Sequence, residues 1–166
     1  MSIAIFARLA RDTAAAASPQ EAFLAAENAV LALTGFRLFT ILFVTRDGHE
    51  VERVHSSDPE AYRLSGRKRM GPTPWGAHVL EARKPWHGGD AEAIRWAFPD
   101  HALIASLGCG SCINIPVVSM RQIIGTLNVL DGPGVLRADQ IPAIQAVAPA
   151  IALPLLRMAE MEGTPL

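Results

Sequence analysis

Cys109 and Cys112, the only two cysteines of the chain, stand in "GCGSCINIPV" (108–117) with C-x-x-C spacing. Such a pair suits a redox dithiol or half of a zinc site. Zinc needs two further soft ligands, and the sequence has neither a second C-x-x-C nor an H-x-x-x-H. A redox pair normally caps a helix, where the dipole lowers the thiolate pKa, whereas this one leads into a strand-like run. In regular strand geometry the two Cα atoms would lie about 10 Å apart, with side chains on opposite faces; a disulfide needs about 4.4–6.8 Å. Gly108 and Gly110 allow a tight turn around Cys109 instead.

The other side chains able to hold a ligand gather upstream. Trp75, Trp86 and Trp96, all the tryptophans of the chain, alternate with His78, His87 and Asp90. They read either as an aromatic clamp or as core plugs of a small subdomain. The histidines could hydrogen-bond, ligate a metal or bind haem, or simply sit satisfied at the surface. In a helix His78 shares a side with Trp75, three residues before it. Phosphate loops, G-x-S-x-G, H-E-x-x-H and the H-x-E with P-C-x-x-C signature are missing from the sequence.

The elements that position these residues follow from periodicity and punctuation. Ile3, Phe6, Ala7, Ala10 and Ala14 have helical spacing. "SPQE" restarts the chain with Ser18 as N-cap, Pro19 at the first helical position and Glu21 completing a capping box. Phe23, Ala26, Val30 and Leu33 give that helix an apolar stripe, and Gly35 ends it. "FRLFTILFVTR" (36–46) and "HEVERVHSS" (49–57) read as strands around an Asp47–Gly48 turn, the second half-exposed or at an edge. An excursion of about fifty residues then carries helices near 73–83 (capped by Thr73), 89–98 (capped by Asp90 or Gly89) and 100–107 (capped by Asp100). "CINIPVVS" (112–119) and "QIIGTLNVLD" (122–131) form a hairpin whose Met120–Arg121 link suggests a turn wider than two residues. Pro116 suggests a bulge or an edge. A helical stripe over Ile141–Met158 should kink or break at Pro149 and Pro154.

Strands arriving in hairpins predict an antiparallel sheet in an α+β domain, with terminal helices on one face and the helical insertion on the other. Alternation puts Cys112, Asn114, Pro116 and Val118 on one face, and Thr126, Asn128 and Leu130 on the same face of the next strand. The apolar sets should pack against the helices. The mixed sets, Cys112 with Asn114 and Thr126 with Asn128, should then face the insertion, either lining a ligand pocket or satisfying loop backbone.

The 166 residues fit one domain spanning 1–166; half are hydrophobic, 19% are charged and the net charge is −1. No basic surplus argues for nucleic acid or an anionic membrane surface. The N-terminal run is interrupted by Arg8, Arg11 and Asp12, unlike a secretion signal, and 143–156 is too short to span a bilayer. With two cysteines, this sets the expectation of a cytoplasmic protein.

The capped helix leading to "FTILFV", the "LGCGSCINIPVV" entry into a strand and the following "IIGTLNVLD" resemble the GAF domain family over roughly 18–157. The resemblance implies a GAF-like, profilin-like fold and a sensory or regulatory module for signal transduction. It further implies a small-molecule ligand between sheet and insertion, a homodimer through the terminal helices and a downstream signalling protein. The ligand and any cofactor stay unnamed, since family ligands run from cyclic nucleotides and tetrapyrroles to amino acids. The candidate ligand-binding residues are Trp75, His78, Trp86, Asp90, Trp96, Cys109, Cys112, Asn114, Thr126 and Asn128. The alternative is a GAF-fold redox enzyme or thiol sensor resembling free methionine-(R)-sulfoxide reductase, using Cys109 and Cys112. The cysteines that this resemblance implies upstream are missing from "TPWG", "PWHGGD" and "HALIASLG". Pigment attachment through a Cys followed by His is likewise not matched here.

Overall fold

The computed structural model describes residues 2–45 and 48–161. Two helices come first, α1 (Ser2–Ala15) and α2 (Pro19–Thr34). Ser18 Oγ accepts from Glu21 N at 3.3 Å, and Glu21 Oε2 accepts from Ala17 N at 2.9 Å, so the box closes one residue earlier than expected. Gly35 ends α2 with φ 68°, a left-handed value that costs glycine little.

Six antiparallel strands follow the order β3-β2-β1-β6-β5-β4. They are β1 (Leu38–Val44), β2 (Glu50–Ser56), β3 (Lys68–Arg69), β4 (Trp86–Gly88), β5 (Ser111–Ser119) and β6 (Gln122–Asp131). β3 and β4 are additions to the expected four strands, too short to show a period. β3 pairs with β2, so β2 is an interior strand rather than an edge. The expected turn at Asp47–Gly48 falls partly outside the described residues.

One face of the sheet carries Phe39, Ile41, Phe43, Ile113, Ile115, Val117, Leu127 and Val129. They pack against Phe23, Ala26 and Val30 of α2 and against the C-terminal helices α6 (Ile141–Gln145) and α7 (Ala148–Met161). The helices bend by 54° between α6 and α7, and Pro149 sits in the first turn of α7. Pro154 is buried inside α7, which runs on through it. Among the described residues no single helix is long and apolar enough to cross a membrane; the bent C-terminal pair has the length and composition, but its apolar side is core.

The insertion covers the opposite face. Thr73 caps α3 (Pro74–Gly76), which widens at once into a π turn over Ala77–Glu81, with Ala82 N bonded to Ala77 O at 2.9 Å. Asp90 Oδ1 caps α4 (Ala91–Ala97) through Ala93 N at 2.9 Å. α5 (His101–Ser106) has no side-chain cap: Asp100 takes a different partner, described below.

Two local departures matter. The β5–β6 turn is tighter than expected: Ser119 pairs with Gln122, and Met120 and Arg121 take φ of 48° and 67°. Residue Pro116 does lie where β5 loses its second neighbour, since β4 ends opposite Asn114, and a bulge follows at Val117/Val118. In β2 an extra residue at Val54 shifts the register, pairing Ile41 with His55 but Leu42 with Arg53. Val54 and His55 both turn to the helical face, where His55 Nε2 meets Glu27 Oε2 at 2.6 Å between the Phe23 and Phe39 rings. Arg53 and Val51 stay on the insertion face.

Candidate functional site

The register lays the insertion face out in rows. Leu38, Leu130 and Cys112 lie opposite one another across β1, β6 and β5; next come Thr40, Asn128 and Asn114; then Leu42, Thr126 and Pro116. The middle row is a polar stripe between two more apolar ones, and all three of its residues are buried. A buried polar group must find partners. Here the partners are one another: Asn114 Nδ2 donates to Asn128 Oδ1 at 2.7 Å, and Asn128 Nδ2 donates to Thr40 Oγ1 at 3.2 Å. The row is closed from the insertion by Trp75, whose Nε1 donates to Asn114 Oδ1 at 3.0 Å. Cys112 Sγ reaches the same oxygen at 3.5 Å.

Above this stripe lies a cavity of about 370 Å³, within the size range of small-molecule sites. Thr40, Asn114 and Asn128 form part of its lining, with Leu42, Val51 and Leu130 beside them and Trp75, Phe98 and Ile104 of the insertion across from them. Its charged side chains are Arg53, Arg69 and Asp100. The Arg53 guanidinium carbon sits 3.8 Å from the Tyr62 ring centre, a cation–π contact, and Nη1 donates to Arg63 O at 2.7 Å. Tyr62 donates its hydroxyl to Asp100 Oδ2 at 2.6 Å. Burial, then this hydrogen bond, pushes the Tyr62 hydroxyl well above the usual phenol range, so it stays a donor at neutral pH. This bond draws the Asp100 carboxylate away from the cap expected at α5.

Of the ten candidate residues, Trp75, Asn114 and Asn128 line the cavity. The other seven do not. Past Gly76 the π turn changes the α-helical spacing, and His78 Nε2 is tied to Pro85 O at 3.0 Å instead of joining Trp75. Trp86 and Trp96 stack on each other at 5.8 Å, with Trp96 half exposed, so the three tryptophans form no common clamp. Phe98 is the second aromatic wall, in contact with both Trp75 and Trp86. Asp90 is spent as a cap, and His87 Nε2 contacts Leu136 O at 2.9 Å. Thr126 is fully buried, and its Oγ1 has no hydrogen-bond partner among the described residues.

The cysteines are both buried and unbridged, and they share one apolar cluster with Leu38, Ile104 and Leu130 instead of pointing to opposite faces. Gly108, at φ 76°, makes the turn that brings Cys109 back against Ile104. Burial pushes both thiols up, most strongly Cys112. A protonated thiol is a poor nucleophile and metal ligand. Among the described residues no three His, Cys, Asp or Glu side chains are grouped to hold a metal.

Sequence reasoning missed Arg53, Tyr62 and Asp100, which come from a bulged strand, a linker and a helix start. Only the contacts bring them together.

A domain with a six-stranded antiparallel sheet, helices on one face and a cavity under an insertion on the other has known counterparts. The family model described as GAF domain matches residues 16–155, and the chain belongs to that family. Among solved structures it is similar to the GAF domain of an Acinetobacter phosphoenolpyruvate-protein phosphotransferase, with a TM-score of 0.75 at 13% identity over 96% of this chain and 94% of that one. The GAF domain of the corresponding Coxiella burnetii protein gives 0.74 at 14% identity, covering 98% and 96%. A domain of a putative two-component sensor histidine kinase from Sinorhizobium meliloti gives 0.63 at 14%, covering 89% and 98%. No curated protein sequence matches the chain.

Proposed function

We propose that this GAF domain is a small-molecule-binding sensory module that acts by changing its own contacts rather than by catalysis. The observation that carries the reading is the cavity between the Thr40–Asn128–Asn114 row and the insertion. It is concave, mostly apolar and furnished with a few fixed polar groups, as ligand sites are. Family membership supports a signalling role, and some structural neighbours come from a sensor kinase and a chemotaxis protein. The proposal extends to a cytoplasmic homodimer, paired through α1, α2 and α7, that passes its state to a downstream signalling protein.

Native mass spectrometry of the purified chain tests this reading. A non-covalent adduct of small-molecule mass, lost when Trp75 and Asn114 are both replaced by Ala, is expected. The redox alternative rests on Cys109 and Cys112, and their burial with raised pKa counts against it. Cys109→Ser with Cys112→Ser should leave adduct formation intact. Thiol-dependent reduction of free methionine sulfoxide, abolished in that double variant, would overturn the sensory reading in favour of the enzyme.

A further inference from the structure

The polar lining of the cavity is not balanced between donors and acceptors, and Trp75 fixes the imbalance. An indole N–H can only donate. Its bond to Asn114 therefore sets the amide oxygen toward Trp75 and the NH₂ toward Asn128. The same logic sets the Asn128 oxygen toward Asn114 and its NH₂ toward Thr40. Reversing either amide would oppose donor to donor. Asn114 Oδ1 is filled by Trp75 and Cys112, and Asn128 Oδ1 and the Thr40 oxygen each accept one bond and keep one lone pair, while a second N–H on each amide and the Thr40 hydroxyl proton remain to be given. Two further lining hydroxyls repeat the pattern: Ser65 Oγ accepts from Arg53 N, and Thr73 Oγ1 accepts from Gly76 N, both at 2.9 Å. Arg53 Nε–H is buried without a hydrogen-bond partner among the described residues. Among the described residues Asp100 is the only carboxylate in the lining, and Tyr62 already donates to it.

We propose that the cavity takes a small monocarboxylic acid with an apolar or aromatic body. The inference rests on the ligand-binding reading above. A carboxylate has about four acceptor sites and no donor, the complement of this lining. An ammonium would bring only donors to a surface already rich in them. A buried donor left unpaired costs about 1–3 kcal/mol, so the mismatch discriminates. Among the described lining residues two arginines stand against one aspartate, an excess of one positive charge that a single carboxylate neutralises and a dianionic phosphate overshoots. Leu42, Val51, Leu130 and Ile104, with the Trp75 and Phe98 rings, would hold the body.

The test is thermal melting of the full chain at pH 7 with phenylacetate, indoleacetate and isocaproate, their primary amides, their size-matched amines and the corresponding phosphate esters. At least one acid should raise Tm saturably, its amide should bind about tenfold or more weakly, and amines and phosphates should leave Tm unchanged. Arg53→Met should weaken the acid by about tenfold or more, whereas Arg53→Lys should retain part of its affinity. Asn128→Asp, close in size but with an acceptor in place of the amide donor, should abolish the acid response. Unliganded melting confirms that each variant folds. Amines, amides or phosphates matching the acids, or an acid response unchanged in both Arg53→Met and Asn128→Asp, would overturn the inference and leave the sensory reading standing. The same holds if no panel compound binds but native mass spectrometry shows an adduct lacking a carboxyl group. No response and no adduct would overturn both.

Discussion

The Trp75 indole is the residue on which the polar row depends, because it is the one group there whose hydrogen-bonding sense is fixed. Trp75→Phe keeps the aromatic wall but removes the donor, leaving Asn114 Oδ1 with the weak thiol of Cys112. The expected cost is about 1–2 kcal/mol of unfolding free energy, read as a lower urea midpoint with an unchanged slope. Cys112 gives a second prediction. Its burial raises the folded-state pKa above an unfolded value of about 8.5. Stability from keeping this thiol neutral is therefore fully present below about pH 8.5. It is lost as pH rises further, because the unfolded chain ionises while the folded one does not. Cys112→Ala should flatten the fall of Tm between about pH 8.5 and 10, beyond its constant cavity cost at neutral pH. An identical alkaline slope in wild type and variant would mean that the thiol is not the group responsible.

At the scale of elements, the β5–β6 turn carries avoidable strain. Met120 and Arg121 both hold φ in the left-handed region, where non-glycine residues cost about 1 kcal/mol each. Met120 is almost fully exposed, so no packing compensates. Met120→Asn with Arg121→Gly supplies the pair that a two-residue turn of this hand favours and should raise Tm by about 2–4 °C per kcal/mol gained. Lower melting in the double variant would show that the Arg121 side chain does more than occupy the turn. The same turn shows what was legible in the sequence. The hairpin was plain from "CINIPVVS" and "QIIGTLNVLD", because β-branched runs of that length report a buried strand whatever joins them. The strength of tertiary pairing then forced Met–Arg into a geometry that local preference argues against. The polar row was half legible: alternation put Asn114 and Asn128 on the insertion face, but their opposition to Thr40 is a matter of register. Arg53 was hidden because Val51 and Val54, three residues apart, fit no single period-two face, so the apolar pattern did not say which face Arg53 takes; the bulge that puts Val51 on one face and Val54 on the other is not announced by the sequence. His78 was misplaced for the matching reason in a helix, a π turn that sequence spacing does not announce.

At the scale of the molecule, the cavity and the terminal helices lie on opposite faces of one sheet, and β2 touches both. Arg53 lines the cavity, and two residues on, His55 meets Glu27 of α2. A helical surface that changed with the cavity would need a partner to be read, and α7 carries exposed Leu153 and Met161 beside a groove of about 650 Å³. The groove is lined by Ala10, Ala14 and Ala17 of the N-terminal segment and Ala150 of α7, small residues that let another helix approach closely. In the proposed homodimer a second copy presenting the same stripe would satisfy both surfaces by two-fold symmetry, the commonest symmetry of homo-oligomers. Light scattering at micromolar concentration should therefore give twice the mass of the chain, and Leu153→Glu should halve it. Leu153 is mostly exposed in the single chain, so the variant should keep its far-ultraviolet spectrum while its melting loses the concentration dependence of a dimer. A wild-type mass equal to one chain at that concentration would refute pairing through this face, and an unchanged dimer in Leu153→Glu would move the interface elsewhere on the helices.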